Sequence, residues 1–459
     1  MTVATLLSLF FYIATLALAL TWYGADLMNL RWLALSFVLL TSAFCWAFSR
    51  QGKLYQREKN DNMLVLVYLI LTFMSVIVAE NALFSGLRWV SHGMVIFTLL
   101  VLLKNSLTTE HAARILLFLK AVIFTLLLVS WLKPLMPGVK VGPDLVVYAG
   151  AFGSSNALGQ VAAVGAVLYL HGCLTDKARW MRLAQGGMSC LAVWLMWAAG
   201  SRSALMAFLT SLVLMYYFYP RLVHGKVVLV VLLVTALMIA FSWVPGKIQQ
   251  VVLRSSNPVQ NVSEQLLVTR KSVWEASWAG FQKRPLLGWG FGATSGIPKD
   301  WKVELKALGT IQRDAINDTL FVLEGTGVVG LVAYALLVVF TLRQMPTKKE
   351  RRLLGRIHSP PFRFGAFDFS IYHLHAVAFI LAVSLLLMVQ FDNTALSAGN
   401  FVSVTLWLCV TLAGTACSKV RGVELLNQRR KQPARRPLFR SQMSPDAANP
   451  WISSGQVRG

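Results

Sequence analysis

Long apolar runs recur from one end of the sequence to the other, and they constrain the fold more than any motif does. They fall at about 3–20, 31–48, 63–79, 88–103, 114–132, 156–172, 183–199, 204–219, 227–244, 319–342, 371–391 and 401–416. Each is long enough, or nearly so, to cross the hydrocarbon core of a bilayer as a helix. With 56% hydrophobic and only 14% charged residues, a chain of this length cannot hide its apolar surface in a water-soluble core. Lipid must be the solvent for much of it. The expected fold is an all-α polytopic membrane protein of about twelve transmembrane helices. The first run, Val3 to Leu20, has no basic segment before it and is followed by many more spans, so it reads as a first membrane helix rather than a cleaved signal.

Charge supplies the orientation. The net charge of +24 would suit nucleic acid if it were gathered on one face, but the basic residues sit in short clusters between apolar runs. Nucleic acid is therefore not an expected partner. An N-terminus in the cytoplasm puts most of those clusters in cytoplasmic loops. The short outer loops and span edges then hold Arg31, Arg88, Lys133, Lys140 and Arg202. Both termini are expected in the cytoplasm of a bacterial inner membrane protein. The expected division is 1–244 for the first nine helices, 245–318 for one large periplasmic loop, 319–416 for three further helices and 417–459 for a basic, disordered tail. The loop is basic, with ten Lys and Arg against six Asp and Glu. Loops this long escape the orientation bias, so their charge is free to serve an anionic ligand.

Two other segments read as lipid contacts. The inner loop from Arg343 to Arg363 and the aromatic run PFRFGAFDF from Pro361 suit the anionic leaflet. No internal repeat stands out, which counts against a transporter built from inverted halves. The five cysteines, Cys45, Cys173, Cys190, Cys409 and Cys417, lie in or beside apolar runs without metal-ligand spacing. Neither a metal nor any other cofactor is expected.

The candidate chemistry lies on the outer side. Arg202, in GSRSA between two spans, either snorkels to headgroups or meets an anion. Thr269 to Gly292 reads TRKSVWEASWAGFQKRPLLGWGFG. Arg270, Trp274 and Trp278 recur on one face of an amphipathic helix that Pro285 ends, and Gly288, Gly290 and Gly292 then allow a tight turn. Such a helix either anchors at the interface or presents Arg270 to phosphate. Next comes RDAINDTLFVLEGTGVVG, from Arg313 to Gly330. It puts Asp314, Asn317 and Asp318 at the mouth of a span and Glu324 about two turns deeper. Glu324 is a functional candidate or a bond to a neighbouring helix. Gly325, Gly327 and Gly330 suit close helix packing. Asn156, in FGSSNALG, caps a helix or binds a sugar hydroxyl, capping being the simpler reading.

In this order and spacing, the FGSSNALG entrance, the GSRSA turn, the run from Arg270 to RPLLGWGFG and the N-x-x-L…G-x-x-G span resemble the O-antigen ligase/polymerase family of bacterial membrane glycosyltransferases. The resemblance covers roughly Phe152 to Leu337. It implies transfer of a glycan from an undecaprenyl-diphosphate carrier to a saccharide acceptor on the periplasmic side, without a metal. Membrane lipids and a chain-length regulator are the further partners. Arg202 and Arg270 take the role of stabilising the diphosphate leaving group, since guanidinium offers planar, bidentate donation to phosphate. Asn156, Arg313, Asn317 and Glu324 complete the set as substrate-binding candidates.

One departure matters. Ligases of the family have His-Asn where this chain has Ile316-Asn317. None of its seven histidines, His92, His111, His171, His224, His358, His373 and His375, lies in the outer loop, and only His92 falls near the outer face. The acceptor proton is then expected on a carboxylate, Asp314 or Asp318. The departure favours a polymerase over a ligase joining glycan to lipid A core or protein. A non-enzymatic flippase of lipid-linked oligosaccharide would need charges lining a cavity at mid-membrane depth instead.

Overall fold

The computed structural model describes residues 3–19, 30–48, 56–132, 139–140, 146–152, 154–220, 274–293, 318–346, 362–364, 367–369, 371–390 and 400–431. Helices dominate them. In chain order they are α1 (Val3–Ala19), α2 (Leu30–Phe48), α3 (Gln56–Ile77), α4 (Ala82–Ser106), α5 (Thr109–Leu132), α6 (Ser155–Thr175), α7 (Arg179–Ala198) and α8 (Arg202–Phe218). After these come α9 (274–283), α10 (Asp318–Leu342), α11 (Ile371–Val389) and α12 (Phe401–Lys431). Two antiparallel hairpins are the only strands among the described residues: β1 (Val139–Lys140) with β2 (Val146–Val147), and β3 (Phe362–Phe364) with β4 (Phe367–Phe369). The aromatic run after Pro361, expected to lie along a leaflet, thus forms a hairpin.

Five helices are long and apolar enough to cross a membrane: α4, α5, α6, α10 and α11. Shorter apolar helices, including α1 and α8, pack beside them. The run 227–244 and most of the expected outer loop, 245–273 and 294–317, lie outside the described residues. The count of twelve spans therefore stands as an expectation. At the other end, α12 continues to Lys431, past Cys417, where the sequence suggested a disordered tail. SKVRGVELLNQRRK is rich in Lys, Arg, Leu, Glu and Gln, which favour helix even where nothing apolar is to be buried.

The bundle is apolar inside and outside. Leu9, Ile13, Leu119, Ile123, Val161, Ala192, Phe379 and Trp407 pack in one continuous interior. Leu7, Leu18, Phe37, Leu40, Ile70, Leu83 and Leu132 are exposed on its surface. A water-facing protein rarely displays so many large apolar side chains together, and a lipid-facing one must. This is a multi-pass membrane protein.

Polar groups in such an interior have to be paired. His171 Nε2 lies 2.8 Å from Tyr219 Oη, which lies 3.1 Å from His373 Nδ1. Within α4, Phe97–Leu103 is a π-helical stretch. The Thr411 hydroxyl of α12 donates to the Leu99 carbonyl at 2.9 Å, covering a backbone group on that widened turn.

Candidate functional site

α10 is not one helix. Gly327 interrupts it with φ 65° and ψ −164°, a region of backbone space that is essentially reserved for glycine. A straight helix would hold Thr319 and Tyr334 apart by ~22 Å along its axis. Yet both bond the side chain of Gln390, at the end of α11. Thr319 Oγ1 donates to Gln390 Oε1 at 2.5 Å, and Gln390 Nε2 donates to Tyr334 Oη at 3.0 Å. Phe321 and Val322 pack against Tyr334, with Leu320 and Val338 beside them. The short helix 318–326 therefore folds back along 328–342, and Gly327 is the tip of a helical hairpin.

A break of this kind strips hydrogen bonds from backbone groups that lipid cannot satisfy. The glycine-rich loop after α9 supplies them. Trp289 N donates to the Glu324 carbonyl at 3.1 Å and Gly290 N to the Gly325 carbonyl at 2.7 Å. In return Val328 N donates to the Pro285 carbonyl at 2.9 Å and Val329 N to the Leu286 carbonyl at 3.3 Å. Exchange at this range requires two backbones in contact. A Cβ on Gly327 would stand 2.2 Å from the Leu286 carbonyl oxygen. Two stretches of sequence, RPLLGWGFG and EGTGVVG, are thus halves of one interlock.

α4 holds the same loop from the other side. Ser85 Oγ donates to the Phe291 carbonyl at 3.1 Å and Arg88 Nη1 to the Gly292 carbonyl at 2.7 Å. Arg284 pairs with Glu80 at 2.7 Å and lies over the Trp289 ring, 4.2 Å from its centroid. The indole nitrogen of Trp289 donates back to the Gly280 carbonyl of α9 at 2.9 Å.

The hairpin sets two carboxylates at opposite ends of its short helix, both buried. Glu324, read from the sequence as the deeper, lies beside the tip, where its backbone carbonyl meets Trp289. Asp318, read as lying at the mouth, sits at the far end of the short helix and is fully buried. The sequence reading assumed that 319–342 is one straight span, and Gly327 breaks that assumption. Around Asp318 the structure gathers Tyr68, Tyr334 and Gln390, which the motif reading passed over. Thr319, the next residue, is joined through Gln390 to Tyr334, and Phe321 and Val322, on the same helix face as Asp318, line a cavity with Tyr68. Tyr68 Oη is 2.9 Å from His92 Nε2. The His92 ring lies 5.4 Å from that of Phe291 in the glycine loop. A water-sized cavity lies among Tyr68, Thr72, Phe291, Phe321, Thr326 and Tyr334. The available signal was a tyrosine within an otherwise apolar run and a glutamine at the end of another.

The remaining candidates divide. Asn156 and Arg202 stand at the first turns of α6 and α8, and these turns touch: a Cβ on Gly159 would meet the Ser201 Cβ at 2.3 Å. Asn156 is not the cap of its helix. Ser154 is, its Oγ accepting from Asn156 N at 3.2 Å. The serine hydroxyl reaches the amide two residues on, so the asparagine falls inside the first turn. Arg202 opens α8 and is half-buried. A cation at the positive end of a helix dipole costs roughly 0.3–1 kcal/mol, which a bound anion would offset. Arg270, Arg313, Asp314 and Asn317 lie outside the described residues. Among the described residues, no group of three or more His, Cys, Asp or Glu is placed to hold a metal ion.

A bundle of apolar helices with a broken, folded-back helix locked by a glycine loop defines a membrane protein with a built site in its interior. Residues 186–335 match the family model described as O-Antigen ligase, which supports the resemblance to the O-antigen ligase/polymerase family. The match takes in Arg202, Arg270, the interlock and both carboxylates, and it begins after Asn156. No curated protein matches the chain. Members of the family are glycosyltransferase-like enzymes acting on lipid-linked glycans and their acceptors.

Proposed function

We propose that the protein is a polysaccharide or O-antigen polymerase. It moves a glycan from undecaprenyl diphosphate to a sugar hydroxyl of a second lipid-linked repeat, on the periplasmic side of the inner membrane. The observation that carries this reading is the family match over residues 186–335, joined to Ile316 standing where the family's ligases have histidine. Arg202 and Arg270 bind the diphosphate and take up the charge that grows on it as the glycosidic bond breaks. Their guanidinium groups suit that role without a metal. Asn156, Arg313, Asn317 and Glu324 orient donor and acceptor. Asp318 or Asp314 accepts the proton of the attacking hydroxyl, a contribution of roughly 10²–10⁴-fold for a well-placed base.

The family model's own description favours a second reading, a ligase that passes the finished chain to lipid A core or to protein. One experiment separates the two. Cells lacking the protein are analysed by gel for their polysaccharide. A polymerase deficiency leaves single repeats attached to the final acceptor, whereas a ligase deficiency leaves full-length chains on the carrier lipid. Unaltered polysaccharide would reject both.

A further inference from the structure

No histidine adjoins Asn317 in the sequence, and the structure sets one from another helix against the glycine loop. His92 belongs to α4, fully buried, with its ring against Phe291 of the glycine loop. Its Nε2 is 2.9 Å from Tyr68 Oη on α3. Tyr68, Tyr334, Phe321 and Val322 line one water-sized cavity, and Phe321 and Val322 share a helix face with Asp318. Tyr334 is bonded to Gln390, and Gln390 accepts from Thr319, the neighbour of Asp318. Three helices and the interlock thus converge on the start of the short helix 318–326.

We propose that His92 is a positioning residue for glycan transfer, its imidazole orienting the Tyr68 hydroxyl toward the cavity and the carboxylate of Asp318. This inference rests on the function proposed above. A phenol has one hydrogen to donate. When His92 Nε2 carries a proton and donates it to Tyr68 Oη, the phenolic hydrogen turns away from the imidazole. The cavity beside it has room for one bridging water, and the ionised carboxylate, which only accepts, sets the direction of the chain. The order is imidazole N–H to phenol oxygen, then phenol O–H to the carboxylate, directly or through that water.

In the reaction, the acceptor oxygen forms a bond to the anomeric carbon. The bond from that carbon to the carrier diphosphate breaks, and its electron pair leaves on the diphosphate. The acceptor's proton passes to the Asp318 carboxylate. His92 and Tyr68 gain and lose no proton; they hold the carboxylate aimed.

The test compares His92→Phe, His92→Gln, Tyr68→Phe and the double variant His92→Phe/Tyr68→Phe in the full-length protein. Each is assayed in membrane vesicles of a strain lacking the wild-type copy. The probe is the undecaprenyl-diphosphate-linked glycan extracted from that strain. His92→Phe and Tyr68→Phe should each lower kcat by about 10- to 100-fold, the scale of one hydrogen bond to a charged group, with KM for the lipid-linked donor unchanged. The double variant should be no worse than either single one. Gln keeps an N–H donor, so His92→Gln should recover most of the rate. Should His92→Phe fail to accumulate, Tyr68→Phe, which removes one oxygen, answers in its place. A wild-type kcat in Tyr68→Phe, additive losses in the double variant, or a glutamine no better than phenylalanine would each overturn the proposal. If Asp318→Asn abolishes transfer while the His92 and Tyr68 variants are normal, this inference alone fails. If Arg202→Ala and Asp318→Asn are also normal, the proposed function fails with it.

Discussion

Gly288 lies so close to Gly325 that a Cβ on the former would stand 2.4 Å from the carbonyl carbon of the latter. Two backbones meet there without side chains between them, and their amides and carbonyls replace the helical bonds lost at Gly327. This contact joins the glycine loop, the helical hairpin and α4 into one unit. It also turns two short glycine motifs, far apart in sequence, into a single requirement.

Alanine at Gly288 or Gly327 should therefore disrupt that unit. Both glycines have positive φ, 67° and 65°, and Gly327 adds a ψ that an L-residue seldom adopts. Backbone strain of this kind costs roughly 1–3 kcal/mol, before the clash with Leu286 or Gly325 is counted. Thermal unfolding of the detergent-solubilised protein should show a lowered Tm for each. Gly187→Ala is the control: it faces open space within α7 and should be neutral or stabilising by up to ~1 kcal/mol. Unchanged melting of both Gly288→Ala and Gly327→Ala would mean that the interlock carries no stability.

The proposed diphosphate ligands are tested by Arg202→Ala and Arg270→Ala. Each should abolish polymer while the amount of protein in the membrane stays the same. Lysine should restore little, because it keeps the charge and loses the planar fork. Normal polymer from both alanine variants would remove these residues from the site.

The two carboxylates that flank Asn317 are separable by Asp314→Asn and Asp318→Asn, which preserve shape and hydrogen bonding but remove the basic oxygen. One of them should slow transfer by about two orders of magnitude or more while donor binding persists. The convergence around Asp318 makes it the expected one. Ile316→His, which restores a His-Asn pair, should partly rescue the slower variant. Near-normal transfer by the double asparagine variant would place the base elsewhere.

Orientation has its own measurement. A cysteine introduced at Gly296 should react with an impermeant thiol reagent applied from the periplasm, and one introduced at Lys348 should not. The reverse pattern would invert the proposed topology and move the active site to the cytoplasmic side.

The sequence by itself determined the solvent and the class of this protein. Apolar runs of helical length can be satisfied only in lipid, and the helices α1 to α8, α11 and α12 coincide with those runs because a helix bonds its own backbone wherever it is placed. The arginine of GSRSA and the glycine-rich motif were also legible, since a charge between spans and three alternating glycines are local signals. Tertiary structure decided what those signals do together. Gly327 is one glycine among several in its segment, and nothing local says that the chain reverses there, because the reversal depends on amides and carbonyls lent by Pro285 to Gly290. That reversal sets Asp318 at the far end of the short helix and Glu324 beside its tip, both buried. His92 and Tyr68 belong to separate helices, Tyr334 and Gln390 to two others. Their meeting is a consequence of helix packing, in which side chains distant in sequence are paired because lipid offers their polar atoms no other partner.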